Sequence, residues 1–186
     1  GIVGELPEVV ASLGGQSVFV VTDSGVVAAG VADRVVDLLA AAGLRVVLFD
    51  GVEPNPGTAS IERGSEALRS FAVDVDPAAT VVVGLGGGSA MDSAKVIALH
   101  APNQRDVMAL GYADETVGPG LPVIAIPTTA GTGAETNIYG VITDETLGRK
   151  GYVGHESVLP RVALLDPELT LALPPGPTAA TGVDAL

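Results

Sequence analysis

The stretch VVVGLGGGSAMDSAK, residues 81–95, decides the fold of this chain. Its apolar beginning is typical of a buried strand, glycines follow at 86–88, and the remainder has the composition of a helix. Glycines let the backbone approach a ligand closely, and the first turn of a helix offers unpaired N–H groups and a positive dipole end. We therefore predict a phosphate-binding turn here, with an ordinary strand-to-helix turn as the alternative.

The amino-acid sequence of this turn excludes two common nucleotide-binding motifs. A P-loop requires Gly-Lys-Ser/Thr at its end, whereas Lys95 comes several residues later, inside the predicted helix. In the dinucleotide fingerprint G-x-G-x-x-G, Gly84 and Gly86 occupy the first two positions, but Ser89 stands where the third glycine belongs. The turn therefore predicts a nucleotide-binding fold of another kind.

Composition and charge limit the class of protein. The chain has 186 residues, 47% of them hydrophobic, which suits one good-sized domain with room for part of a second. A formal net charge of −13 leaves no positive surface for nucleic acid or for an anionic membrane. The sequence has no long apolar run and no signal-peptide pattern, so we expect a cytoplasmic protein. The absence of cysteine excludes disulfides and thiolate metal sites.

Strand and helix patterns alternate along the chain, as in a parallel sheet. Parallel strands separated by helices are predicted at 17–22, 44–49, 80–85, 122–126 and 162–165. Segments 138–143 and 150–153 predict a hairpin, and the polar segment 102–120 predicts a mobile surface loop. The predicted fold class is therefore α/β, a Rossmann-like open and mostly parallel sheet with flanking helices.

Suggestive residues follow four of the predicted strands. They are Asp23, the loop 51–56 (GVEPNP), the glycine turn itself, and the segment 127–135 (PTTAGTGAE). Each has a plain structural reading as a helix cap, a proline-stiffened loop or a turn. Because ligands of open parallel sheets bind beyond the carboxyl ends of the strands, we expect these residues to form one crevice. Such a crevice could offer a carboxylate, backbone donors and hydroxyls to a nucleotide.

The chain resembles the iron-containing, group III alcohol dehydrogenase family from near residue 4 to its last residue. Four motifs carry the resemblance, in family order: DGVEPNP at 50–56, GGGSAMDSAK at 86–95, AIPTTAGTGAE at 125–135 and AATGVDAL at 179–186. The resemblance implies a dinucleotide-binding α/β domain at 1–173, followed at 174–186 by the start of an all-helical domain that carries iron or zinc. It also implies the interconversion of small alcohols and aldehydes with NAD or NADP.

The resemblance further implies roles for individual residues. Asp23 would contact the adenosine ribose and Asn55 the adenine end. The cofactor site would be completed by Gly87, Gly88, Ser89, Thr128, Thr129 and Lys150. Leu169 would line the cofactor, although a core position is an equally good interpretation.

Three residues qualify these expectations. Asn137 stands where the family usually has threonine, so the geometry of that contact changes. Asp92 is interpreted as a helix-start acid that suits the macrodipole, with a direct cofactor role as the alternative. Because a carboxylate accepts a hydrogen bond from a 2′-hydroxyl but repels a 2′-phosphate, Asp23 favours NAD over NADP.

The resemblance makes Asp184 the first of four metal ligands, the second being a histidine four residues later, beyond Leu186. His100 and His155 match no ligand position. A single carboxylate cannot hold a catalytic divalent ion, so we expect this chain to bind dinucleotide without turnover, and to self-associate as a homo-oligomer through an apolar face near 169–186. The alternatives are a non-catalytic nucleotide-binding module, a metal-free oxidoreductase resembling maleylacetate reductase, and an NAD-using lyase resembling dehydroquinate synthase.

Overall fold

A computed structural model describes residues 1–73 and 75–186. The strands are β1 (Ser17–Asp23), β2 (Arg45–Val52), β3 (Thr80–Gly86), β4 (Val123–Pro127), β5 (Tyr139–Asp144), β6 (Arg149–Gly154) and β7 (Val162–Ala163). The α-helices are α1 (Leu6–Ser12), α2 (Ser24–Ala28), α3 (Val31–Ala41), α4 (Thr58–Val73), α5 (Gly88–Asn103) and α6 (Pro175–Asp184).

A parallel sheet in the order β2-β1-β3-β4-β7 forms the centre of the fold. β1 lies between β2 and β3, and its Val20 is in register with both Leu48 and Val83. β3 in turn pairs with β4, and its Gly84 is in register with Ala125. Because all of these strands run in the same direction, their carboxyl ends meet at one edge, where the crevice was expected. The predicted Rossmann-like α/β class is confirmed.

Helices cover both faces of the sheet and divide the core into two layers. On one face α4 and α5 pack against the sheet through residues such as Leu68 and Ile97. On the other face α1 and α3 do so through Val10 and Leu39. The long apolar runs of β1 and β3 follow from this arrangement, since both faces of those strands are buried. The central strands are thus held from two sides, which fixes the loops that follow them.

The predicted hairpin is confirmed. β5 and β6 pair antiparallel, with Tyr139 opposite Gly154 and Asp144 opposite Arg149. The hairpin lies so close to α5 that a Cβ on Gly140 would collide with Val96 and would stand 2.7 Å from the Asp92 carbonyl oxygen. Gly140 therefore permits the close approach that brings the hairpin to the start of α5.

Two local predictions were wrong. The segment 102–120 is not simply a surface loop, because Val107, Leu110 and Val117 are buried in the core. These widely spaced apolar residues belong to the core cluster that also contains residues of α4 and α5, an arrangement that depends on distant parts of the chain. The last strand is Val162–Ala163, shorter than the predicted strand at 162–165.

The C-terminal segment that contains α6 is weakly packed against the rest of the fold. Every residue of α6 is at least partly exposed, and Leu171 and Val183 are strongly exposed apolar residues. Self-association through this face stays a prediction, as does a domain boundary at 173/174. Within residues 1–73 and 75–186, no helix is both long and apolar enough to cross a membrane.

Candidate functional site

The carboxyl ends of the strands open into two cavities that flank the glycine turn. The first, the Asp23 cavity, has a volume of about 570 Å³ and is lined by Asp23, Thr128, Thr129 and Leu169, among others. The second, the Asp184 cavity, has a volume of about 740 Å³ and is lined by Asn55, Asn137, Lys150 and Asp184, among others. Gly88 and Ser89 line both cavities. An elongated ligand could therefore extend from one to the other across the turn.

The turn between β3 and α5 is built from glycines for steric reasons. Gly86 has a φ of 144°, which other residues rarely adopt, and its Cβ would stand 2.8 Å from that of Ala90. A Cβ on Gly88 would stand 3.0 Å from Cγ2 of Thr132. Gly87 is the N-cap of α5, and none of the described side chains caps this helix end. The N–H groups of its first turn are thus available to an anion.

Asp23 has two roles that the sequence could not separate. Its Oδ1 accepts hydrogen bonds from the N–H groups of Gly25 and Val26, at 2.9 and 3.1 Å, and so caps α2. Its Oδ2 lies 3.3 Å from the position that a Cβ on Gly86 would take, at the glycine turn. The helix-cap interpretation is confirmed, and Asp23 also lines the first cavity.

The threonines after β4 meet the glycine turn from the other side. The Thr128 N–H donates to the Gly86 carbonyl across 2.9 Å, which ties the segment to the end of β3. Thr129 Oγ1 is a buried hydroxyl for which the described residues supply no hydrogen-bond partner. Leaving such a group unpaired costs about 1–3 kcal/mol, so this hydroxyl suits a ligand placed on the turn.

Leu169 is a core residue that also lines a cavity, and its contact with a cofactor stays a prediction. It lies in a 3-10 helix, Pro167–Thr170, and packs in the core layer of α1 and α3. The same side chain lines the Asp23 cavity with Val26 and Val31. One wall of this cavity is therefore apolar and is part of the folded core.

Asn55 and Lys150 form a pair on the other side of the turn. Lys150 Nζ donates to Asn55 Oδ1 across 2.7 Å, and both line the Asp184 cavity. The Thr143 N–H donates to the Pro56 carbonyl across 2.8 Å, which holds the loop after β2 against the hairpin. Asn55 and Asp23, both expected at the adenosine end, therefore line different cavities.

Asn137 is tied into the protein through both of its polar atoms. Its Oδ1 accepts from Lys95 Nζ at 3.0 Å and from the Tyr139 N–H at 2.9 Å, and its Nδ2 donates to the Gly133 carbonyl at 3.1 Å. It also lines the Asp184 cavity.

Lys95 is a functional candidate that sequence reasoning missed. It is completely buried beneath the Asp184 cavity and forms an ion pair with Asp92 at 3.0 Å. Burial lowers the pKa of Lys95, while the neighbouring Asp92 carboxylate opposes that shift. Asp92 is therefore more than a helix-start acid, and the i, i+3 spacing of the two residues was the signal.

Among residues 1–73 and 75–186, Asp184 belongs to no group of three or more side chains that could hold a metal ion. Asp184 ends α6, is exposed, and lines the second cavity. In the part of the chain that the structure describes, no group of three or more His, Cys, Asp and Glu side chains could hold a metal ion. The donors present therefore do not fit a complete divalent site.

The two histidines have structural positions. His100 Nε2 lies 2.8 Å from the Arg105 carbonyl, so Nε2 carries the proton. His155 Nδ1 accepts from the Ser157 N–H at 3.1 Å and caps a short 3-10 helix. Neither lines either of the two cavities.

The parallel sheet, the glycine turn and the crevice at the strand ends define a Rossmann-like α/β domain. The family model for iron-containing alcohol dehydrogenase matches residues 1–167. The chain belongs to this family, as the resemblance of its motifs predicted.

Individual relatives agree with this assignment. The chain is 40% identical to choline dehydrogenase of Bacillus subtilis (strain 168) and 39% identical to lactaldehyde reductase of Escherichia coli (strain K12). Both matches cover all of this chain, and they cover 46% of the choline dehydrogenase and 48% of the lactaldehyde reductase. NADH-dependent butanol dehydrogenase A from Thermotoga maritima has a similar structure, with a TM-score of 0.87 and 30% identity over 99% of this chain and 45% of that one. The chain thus spans about half the length of these relatives.

Proposed function

We propose that this chain is the NAD-binding part of an alcohol dehydrogenase that transfers hydride between NAD and small alcohols or aldehydes. The observation that carries the proposal is the uncapped N-terminus of α5, placed between two cavities and beside the unpaired hydroxyl of Thr129. Family membership supplies the reaction class. The butanol dehydrogenase of similar fold is named as NADH-dependent, which supports the choice of cofactor.

In the proposed complex the dinucleotide crosses the glycine turn. The adenosine half occupies the Asp23 cavity, against the apolar wall that includes Leu169. The pyrophosphate lies on the N–H groups of Gly87, Gly88 and Ser89, where the helix dipole favours its charge. The Thr129 hydroxyl then donates to a phosphate oxygen and gains the partner that it lacks.

The nicotinamide half occupies the Asp184 cavity. Lys150 and Asn55 line this cavity as a hydrogen-bonded pair, and their side chains can contact the second ribose. Placing the ring beside Asp184 brings the hydride-carrying carbon to the side where the resemblance puts metal and substrate. This assignment replaces the expectation that Asn55 contacts adenine.

Asp23 supports NAD over NADP. Its Oδ2 faces the glycine turn while Oδ1 is held by α2, so the carboxylate has a fixed orientation. A ribose 2′-hydroxyl can donate to this oxygen, whereas a 2′-phosphate would be repelled by it.

The role of the described residues is to bind and orient the cofactor. NAD supplies the hydride chemistry, and the protein fixes its position. Because the donors around Asp184 do not form a complete metal site, no catalytic step is assigned to a metal here. We propose that the 186-residue chain binds dinucleotide and does not turn over by itself.

The test combines a binding measurement with an activity assay on the same preparation. Calorimetric titration with NAD should give saturable binding at one site per chain. Assays with short-chain alcohols and NAD, with added iron(II) or zinc(II), should give no reduction of NAD. Binding with turnover would contradict the proposed incompleteness, and an absence of binding would contradict the proposed cofactor site.

A further inference from the structure

We infer that Lys95 is a positioning residue, which holds the segment 128–137 against the phosphate-binding turn and so shapes the Asp184 cavity for the nicotinamide half of the dinucleotide. This inference rests on the proposed function for its ligand. The clamping of the segment itself is a property of the free protein.

The first half of the segment 128–137 is packed against the glycine turn. At its beginning the Thr128 N–H donates to the Gly86 carbonyl at 2.9 Å. In its middle, Thr132 stands 3.0 Å from the position of a Cβ on Gly88. The shape of the phosphate-binding turn therefore depends on where this segment lies.

Lys95 anchors the other end of the segment. Its ammonium group donates to the Ala134 carbonyl at 2.9 Å and to Asn137 Oδ1 at 3.0 Å, and it pairs with Asp92 Oδ1 at 3.0 Å. These three contacts use all three N–H donors of the ammonium group. Since Lys95 is completely buried, it has no exposed surface with which to contact a ligand directly.

The same network also holds the hairpin. Asp92 Oδ2 accepts from the Val141 N–H at 3.0 Å, and Asn137 Oδ1 accepts from the Tyr139 N–H at 2.9 Å. Tyr139 and Val141 line the Asp184 cavity. One buried ion pair on α5 thus joins the helix that offers the phosphate donors to two walls of the same cavity.

A buried ion pair is a costly way to hold a loop, because both charges lose their hydration. Hydrophobic side chains of similar volume can stabilise such a position as well or better. The ion pair also fixes direction, since its hydrogen bonds specify where the Ala134 carbonyl, the Asn137 side chain and the Val141 N–H must lie. The arrangement is therefore suited to fixing geometry.

The test uses Lys95→Met, which keeps length and apolar volume and removes the three donors. Amide hydrogen exchange of the free protein should show faster exchange at 131–141 than in the wild type, with β1 and β3 unchanged. NAD affinity should fall by about tenfold or more, while the affinity for adenosine, which lacks the phosphates and reaches only the Asp23 cavity, stays within about twofold. Arg105→Met is the matched control, because it removes a cation and its exposed ion pair with Asp114, and it should change none of these values.

The outcomes separate the inference from the proposed function. Unchanged exchange at 131–141 would overturn the inference whether or not NAD binds. Equal losses of NAD and adenosine affinity would overturn it too, because Lys95 would then support the fold in general. If the wild type binds no dinucleotide, the proposed function fails, and hydrogen exchange still decides whether Lys95 clamps the segment. Should Lys95→Met fail to fold, Asp92→Asn tests the same network with a smaller change and the same expected pattern.

Discussion

The side chain of Thr129 stands opposite Gly87, so that its Cγ2 and Oγ1 each lie 3.5 Å from the position of a Cβ on Gly87. This separation is ordinary van der Waals contact, and Gly87 has a φ of −81°, which any residue can adopt. A methyl group would therefore fit at Gly87 in the free protein, where it would occupy the space that we propose for a phosphate.

Gly87→Ala should consequently separate binding from folding. We expect the free energy of unfolding to change by no more than about 0.5 kcal/mol. NAD affinity should fall by about tenfold or more, because the added Cβ displaces the pyrophosphate from the N–H groups. Calorimetry and urea unfolding measure the two effects. Gly111→Ala, where a Cβ would meet no atom within 4 Å, is the control and should leave both unchanged.

Thr129→Val should stabilise the free domain and weaken the complex. Valine has the shape of threonine without the unpaired buried hydroxyl, so the free energy of unfolding should stay equal or rise by up to about 1 kcal/mol. NAD affinity should fall by about tenfold, since a phosphate oxygen loses its donor. A variant that binds NAD like the wild type would remove Thr129 from the site.

Thr80→Val is the contrasting case for that experiment. The Thr80 hydroxyl is buried and satisfied, since it donates to the Asp76 carbonyl at 3.0 Å and lies 2.9 Å from Ser17 Oγ. Its removal should lower the free energy of unfolding by about 1–3 kcal/mol and leave NAD affinity unchanged.

Asp23→Asn should alter cofactor choice without disturbing α2. The asparagine Oδ1 can still accept from Gly25 and Val26, so the helix cap is retained. The negative charge that repels a 2′-phosphate is lost, and the affinity ratio of NAD to NADP should fall by about tenfold. Titrations with both dinucleotides measure the ratio, and an unchanged ratio would show that other groups select the cofactor.

The stability of the domain should decrease between neutral and mildly acidic pH because of His100. Burial lowers the pKa of His100 below its ordinary value of 6.5, and Arg69 contributes to the shift. Below that value the unfolded chain takes up a proton that the folded protein still excludes, so the free energy of unfolding falls as the pH is lowered toward the folded pKa. Urea unfolding at several pH values measures the slope. In His100→Gln, which keeps a donor for the Arg105 carbonyl, the slope should be smaller; an equal slope would assign it to other groups.

Much of the fold could be predicted because the decisive signals are local. The apolar runs of β1 and β3 mark strands buried on both faces, and the glycines at 86–88 mark the turn that follows. The hairpin was equally visible, because two short apolar segments flank a turn that ends in Gly148. These patterns place the crevice without any knowledge of distant contacts.

The details of the site depend on contacts between distant residues, and these were not predictable. Lys95 looked like an ordinary helix residue, and its burial follows only when Ala134 and Asn137 fold over it. The position of Asn55 likewise depends on its pairing with Lys150, 95 residues further along the chain. Local patterns predicted which residues gather at the strand ends, but not which cavity each one lines.

The most direct test of the central claim is calorimetric titration of the 186-residue chain with NAD and NADP, with Gly87→Ala as a folded variant. We expect saturable binding of NAD, weaker binding of NADP, and loss of most NAD affinity in the variant. If the folded wild type binds neither dinucleotide, or if Gly87→Ala binds NAD as well as the wild type does, the turn before α5 is not the cofactor site.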